Sequence, residues 1–276
     1  MKLAFLDTSV INWCHKSGMS GYKLAELFSK QNLIPVLGIY TTYELAKDFL
    51  NTDEPSRTIN LFCIIRDLEP KIVCDRPQIY INEFNRLRSE SLCNFFLPDD
   101  KLIALKKGIQ DCCNGYFNAR ESIIGRENLS KKSRLEWDKS KRIDIQKGDS
   151  FIGYRDNWLK SSTNFLYDLR TNFSKITEGG LNLTNEDVSS LMANLDQCPA
   201  FRSHIYSKLY QEFIFACDGN IPAKDKFTDS IQLIEASCCA VYITGDARHL
   251  KYADQINPTL EYKLAHTLIL DENNLH

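Results

Sequence analysis

Four carboxylates in this sequence stand where an apolar run gives way to polar residues. Asp7 follows KLAFL, Glu44 lies in TTYE after IPVLGI, Asp229 lies in FTDSIQLI ahead of AVYIT, and Asp246 follows that run in TGDA. In an open α/β sheet, ligands bind beyond the carboxyl ends of the strands, where strand tips and the starts of the following helices meet. Asp229 joins that edge if its helix runs antiparallel to the strand it precedes. Four anions gathered there repel one another. At about 6 Å and an effective dielectric near 20, each pair costs roughly 3 kcal/mol before screening. A divalent cation would relieve that repulsion, and an all-oxygen ligand set selects Mg²⁺ or Mn²⁺ over zinc. A cation so held suits phosphodiester hydrolysis, because it polarises a phosphoryl oxygen and lowers the pKa of bound water. Thr8, Ser9 and Thr244 could hold a water or a phosphate oxygen, or could cap helices and turns.

Each acid also has a structural reading. Asp7 suits a helix N-cap. Thr41 and Glu44 have the spacing of a capping box. Asp229, in a first helical turn, is favoured by the helix dipole. Asp246, after Gly245, fits a turn.

The elements that must carry these residues follow from periodicity. Residues 2–6, 34–39, 71–74, 240–244 and 267–270 read as short strands. Helices are expected over 9–16, 22–30, from Thr41 to about Leu50, from Pro55 to about Leu68, from Pro77 to about Leu92, and over 226–239 and 247–253. That alternation indicates a parallel sheet flanked by helices. Between residues 93 and 222 the rhythm breaks. Helical spacing near 99–125, 150–178, 184–195 and 200–217 continues with almost no strand signal. The expected organisation is an α/β core in two parts, 1–92 and 223–276, around a mainly helical insertion at 93–222.

The 276 residues are 43% hydrophobic and 25% charged, with a net charge of −2. The composition is that of a soluble globular chain, with no global footprint for nucleic acid or membrane. Charge is uneven, because residues 101–150 hold 12 Lys/Arg against 7 Asp/Glu. The ten cysteines include two adjacent pairs and no Cys-x-x-Cys, so they read as reduced thiols in a reducing, cytoplasmic setting. No apolar stretch reaches membrane-spanning length, and the residues before Asp7 make no signal peptide.

LAFLDTSVINW, TTYELAKDF, KIVCDRPQIYINEFNRLR and DSIQLIEASCCAVYITGDARHL together resemble the PIN-domain nucleases, which include the ribonucleases of toxin–antitoxin pairs. The interval from Asp229 to Asp246 is close to that family's spacing. The resemblance covers residues 1–92 and 223–276. It implies a Rossmann-like three-layer α/β/α fold with a parallel sheet of about five strands ordered 3-2-1-4-5. It also implies a Mg²⁺- or Mn²⁺-dependent nuclease, usually acting on single-stranded RNA. By position, Asp7, Glu44, Asp229 and Asp246 match the family's acidic quartet. Asp225 is an accessory acid or the N-cap of its helix. The sequence departs from the family at His249, where another acid often stands; Arg248 and His249 could meet phosphate or be solvated. Toxins of the family dimerise and pair with antitoxins, so a homodimer or an antitoxin-like protein is a partner class to test.

The insertion could form a cap over the acidic cleft. Lys131, Lys132 and Arg134 would then contact phosphates, and Tyr154, Trp137 and Trp158 would stack on bases. The alternative is a solvated basic face with packing aromatics. Two whole-protein readings compete: a metal-dependent ribonuclease, and an inactive PIN-like module that binds RNA or protein. Phosphatase or nucleotide chemistry ranks last, since the sequence lacks a Gly-rich phosphate loop and an Asp-x-Asp nucleophile pair.

Overall fold

Five short strands run parallel: β1 (Lys2–Leu6), β2 (Leu33–Gly38), β3 (Lys71–Val73), β4 (Val241–Thr244) and β5 (Glu261–Leu264). Their spatial order is β3-β2-β1-β4-β5, the order expected. The computed structural model describes residues 1–51, 55–89, 94–118, 121, 123–125, 150–161, 163–218 and 224–269, without side chains at 51, 89, 161, 163–168, 218 and 224–228. Since the strands are parallel, Asp7, Gly38 and Gly245 all leave the sheet at its carboxyl edge.

The two-residue period of a strand sorts its side chains onto two faces. Ala4, Leu6, Leu37, Val241 and Ile243 belong to one buried cluster. It is completed by α1 (Thr8–Lys16), α2 (Gly21–Lys30), α5 (Ser56–Leu68) and α7 (Asp99–Cys113). Phe5, Val36, Val73 and Tyr242 belong to the other. That face is covered by α6 (Arg76–Ser89), α12 (Lys224–Glu235) and α13 (Ala247–Ile256). The result is three layers.

The second cluster also takes in α8 (Phe151–Ser161), α9 (Thr163–Ile176), α10 (Asn185–Ala193) and α11 (Pro199–Asp218). The Tyr80 ring of α6 lies 5.0 Å from that of Phe173 and 5.3 Å from that of Phe201. Glu83 of α6 accepts from the backbone N–H groups of Ala200 (3.0 Å) and Phe201 (2.8 Å), satisfying donors that the start of α11 leaves open. Burial pushes this carboxyl up to about 7, against those hydrogen bonds. Arg202 of α11 is buried and donates to Asn257 Oδ1 (3.2 Å) and Thr259 Oγ1 (2.7 Å), just before β5. Residues from 93–222 are therefore part of the same core as the sheet. Trp158 and Tyr154 pack against that core, Tyr154 with its ring 5.7 Å from Phe213, so these two serve as packing residues. Lys131, Lys132, Arg134 and Trp137 lie outside the described residues.

Three sequence expectations are corrected. The last strand is Glu261–Leu264, and residues 267–269 are helical. β5 is an edge strand with one neighbour, so it tolerates Glu261 and Lys263; Leu268 reaches the core from the turn that follows. The helix after β2 starts at Ile39, not Thr41, as α3 (Ile39–Ala46), followed by α4 (Asp48–Asn51). The helix carrying Asp229 starts at Lys224. Both acids thus sit in second turns, beyond a helix start.

Close approach makes one glycine critical. A Cβ at Gly21, the first residue of α2, would lie 2.2 Å from the Ile64 carbonyl oxygen of α5. Gly21→Ala is expected to cost about 2–3 kcal/mol, as overpacking does when backbone must yield. Urea unfolding with an unchanged slope and an unmoved midpoint would show that α2 and α5 separate freely. Among the described residues, no helix is long and apolar enough to cross a membrane.

Candidate functional site

β1 delivers Asp7 into a helix start. Asp7 has extended backbone and caps α1, its Oδ1 accepting from the N–H groups of Ser9 (2.7 Å) and Val10 (3.3 Å). The Ser9 hydroxyl also donates to Asp7 and lies 3.1 Å from Thr244 Oγ1 at the tip of β4. Asp7 is 6% exposed, and burial raises its pKa against these hydrogen bonds and the neighbouring His249.

Glu44 makes no capping box. Gly38 is the N-cap of α3 and supplies no side-chain bond. The open N–H of Tyr40 is met from across the core by Glu235 Oε1 at 3.0 Å. Glu44 Oε2 instead accepts from the Thr8 hydroxyl and from Gln232 Nε2 (2.8 Å). Burial raises the Glu44 pKa, and the charges of Asp229 and Asp7 push it the same way, against Thr8 and Lys47. Glu44 is thus within electrostatic reach of both Asp229 and Asp7.

Asp229 Oδ2 lies 3.2 Å from His249 Nδ1. His249 is 5% exposed, so the expectation of a solvated imidazole is corrected. It is buried because α13 turns it under the sheet edge, where its Nε2 meets the Tyr242 hydroxyl at 3.0 Å. Asp246 stands at the lip of the site. It caps α13 through the Arg248 N–H (2.9 Å) and faces the Arg248 guanidinium at 3.4 Å. These contacts, with the backbone bond the largest, lower its pKa, and His249 acts in the same direction. Arg248 is 92% exposed. The side chain of Asp225 lies outside the described residues.

Asp229 thus meets His249, which meets Tyr242, while Asp7, Glu44 and Asp246 are each turned toward a protein donor. Thr8 and Ser9 use their hydroxyls on Glu44 and Asp7. Carboxylate oxygens fit Mg²⁺ or Mn²⁺ in donor chemistry. Among the described residues, however, no three His, Cys, Asp or Glu side chains form a group that could hold one metal ion.

Sequence reasoning missed Gln232 and Tyr242. Gln232 is buried and donates through Nε2 to Thr8 Oγ1 (2.7 Å) as well as Glu44. Its Oε1 lies 3.4 Å from the Tyr242 hydroxyl. A signal was present: Asp229, Gln232 and Glu235 recur every three residues, the last two among Ile231, Leu233 and Ile234, a polar stripe beside apolar positions. Comparison with protein-family models, curated proteins and solved structures finds no match for this chain.

Proposed function

We propose that this protein is a divalent-metal-dependent nuclease of PIN-like design, hydrolysing phosphodiester bonds in single-stranded RNA. The observation that carries the reading is the buried Glu44 under the like charge of both Asp7 and Asp229, with Asp7 leaving β1 at the carboxyl edge of a 3-2-1-4-5 parallel sheet. Burial and like charge together raise Glu44, and a cation is the natural counter-charge. Asp7, Glu44 and Asp229 would hold Mg²⁺ or Mn²⁺, with Asp246 at the exposed lip. When bound, such an ion supplies an activated water and polarises a phosphoryl oxygen. The chain itself orients the acids: Ser9 and the α1 backbone fix Asp7, and Thr8 with Gln232 fixes Glu44. Nine free cysteines among the described residues fit work in a reducing cytoplasm.

A second reading has its own support. Each of the four acids has a structural partner, and among the described residues no three-ligand group is assembled. That favours a PIN-like module that binds RNA or protein without cleaving. Incubation of labelled single-stranded RNA with and without Mn²⁺ separates the two. The nuclease reading expects Mn²⁺-dependent cleavage, lost with chelator and reduced about 100-fold or more in Asp246→Asn, as loss of one stabilising group in a site typically is. RNA retained but intact at every Mn²⁺ concentration supports the module.

A further inference from the structure

Three buried side chains between the acids offer no carboxylate, yet they connect two of them. From Asp229 Oδ2 the path runs 3.2 Å to His249 Nδ1, then 3.0 Å from Nε2 to the Tyr242 hydroxyl. It continues 3.4 Å to Gln232 Oε1 and, across the amide, 2.8 Å from Nε2 to Glu44 Oε2. We propose that Gln232, Tyr242 and His249 are positioning residues, a hydrogen-bonded relay that fixes Glu44 relative to Asp229 across the sheet edge.

The physical case rests on burial and on the number of polar ends engaged. Gln232, Tyr242 and His249 are 3%, 0% and 5% exposed. A buried donor or acceptor left unmatched keeps its full desolvation cost, so each group resists rotating away from its neighbours. The amide uses both ends, donating to Glu44 and Thr8 and offering its oxygen to Tyr242. The phenol ring is held sideways by stacking on Phe5, with centroids 5.6 Å apart and planes at 13°. Burial, with Asp7, Asp229 and Glu44 nearby, raises the phenol pKa well above its ordinary value, so the O–H stays available. The relay joins α12, β4 and α13 to the acid on α3, so a displacement at one acid is felt at the other. The geometry stands on its own; what the two acids are held for rests on the proposed function.

The test uses the full chain in chelator. Gln232→Leu and His249→Phe are combined, with Tyr242 present and in a Tyr242→Phe background. The relay expects the two substitutions to be non-additive by about tenfold in the folding equilibrium constant, falling below about twofold once the hydroxyl is gone. Additivity in both backgrounds overturns it. If these variants do not fold, Gln232→Asn with ¹⁵N-labelled histidine serves instead. A shift of the His249 ring nitrogens supports the relay, and unmoved resonances overturn it. The positioning role has a separate readout, the Mn²⁺ midpoint for thermal stabilisation. Tyr242→Phe should raise it about tenfold, as loss of a group that orients a metal ligand does, while an unchanged midpoint overturns positioning. If the native chain shows no Mn²⁺ response at all, the metal-dependent reading falls, and the chelator experiments alone judge the relay.

Discussion

Asp7→Asn is expected to abolish Mn²⁺-dependent RNA cleavage while making the protein in chelator slightly more stable. The two effects oppose because they have different sources. Asn keeps an oxygen able to accept from the Ser9 and Val10 N–H groups, so the cap on α1 survives. It removes a charge whose ionisation burial already disfavours. A gain of about 1 kcal/mol would raise the melting temperature by roughly 2–4 °C in a chain of this size. Under the proposed function, the same change withdraws one anionic ligand. Losing about 4 kcal/mol of transition-state stabilisation, at about 1.4 kcal/mol per tenfold, slows cleavage roughly 1000-fold. Melting curves across a Mn²⁺ titration and cleavage time courses read both quantities. A variant that cleaves like the native chain removes Asp7 from the chemistry; one that melts lower shows that its charge, not only its oxygen, holds α1.

The second large effect concerns pH. Glu235 is fully buried; Oε1 takes the Tyr40 N–H, and Oε2 has no hydrogen-bond partner. Burial is the main reason its pKa rises from 4.5 to about 8. The folded chain therefore keeps a proton that the unfolded chain releases near 4.5. Stability is lost as pH rises between those values, at about 1.4 kcal/mol per unit, on the order of 5 kcal/mol in all. Glu83, raised to about 7, acts with the same sign over a narrower window. His204 acts oppositely: burial lowers it from 6.5 to about 3, so stability rises with pH across that interval. Glu235→Gln should leave stability near pH 5 almost unchanged and become increasingly stabilising toward pH 9. Urea midpoints of both proteins from pH 5 to 9 measure this. Parallel curves would mean that Glu235 ionises in the fold as readily as in the open chain.

β1, β2 and β4 were legible as apolar runs because central strands of a parallel sheet are buried on both faces, and β3 at the other edge was legible because Ile72 and Val73 are buried. β5 was not, since an edge strand need not be apolar and TLIL was the more hydrophobic candidate. The acids were legible as strand-tip residues, but their partners were not. Glu44 meets Gln232, 188 positions away, and no local pattern encodes that pairing. The capping-box expectation at Thr41 failed because Gly38 had already opened the helix, with Glu235 supplying the acceptor from another element. His249 read as a surface residue because it follows a turn and an exposed arginine. Only the closing of α13 against β4 encloses it.

Tyr80 has rings from Phe173, Phe201 and His204 around it, and Tyr252 has Tyr210 at 4.9 Å. The helices between Phe151 and Asp218 are thus a supporting wall for the sheet, not an annex to it. A shorter descendant would have to re-clothe both tyrosines with polar replacements at the same time.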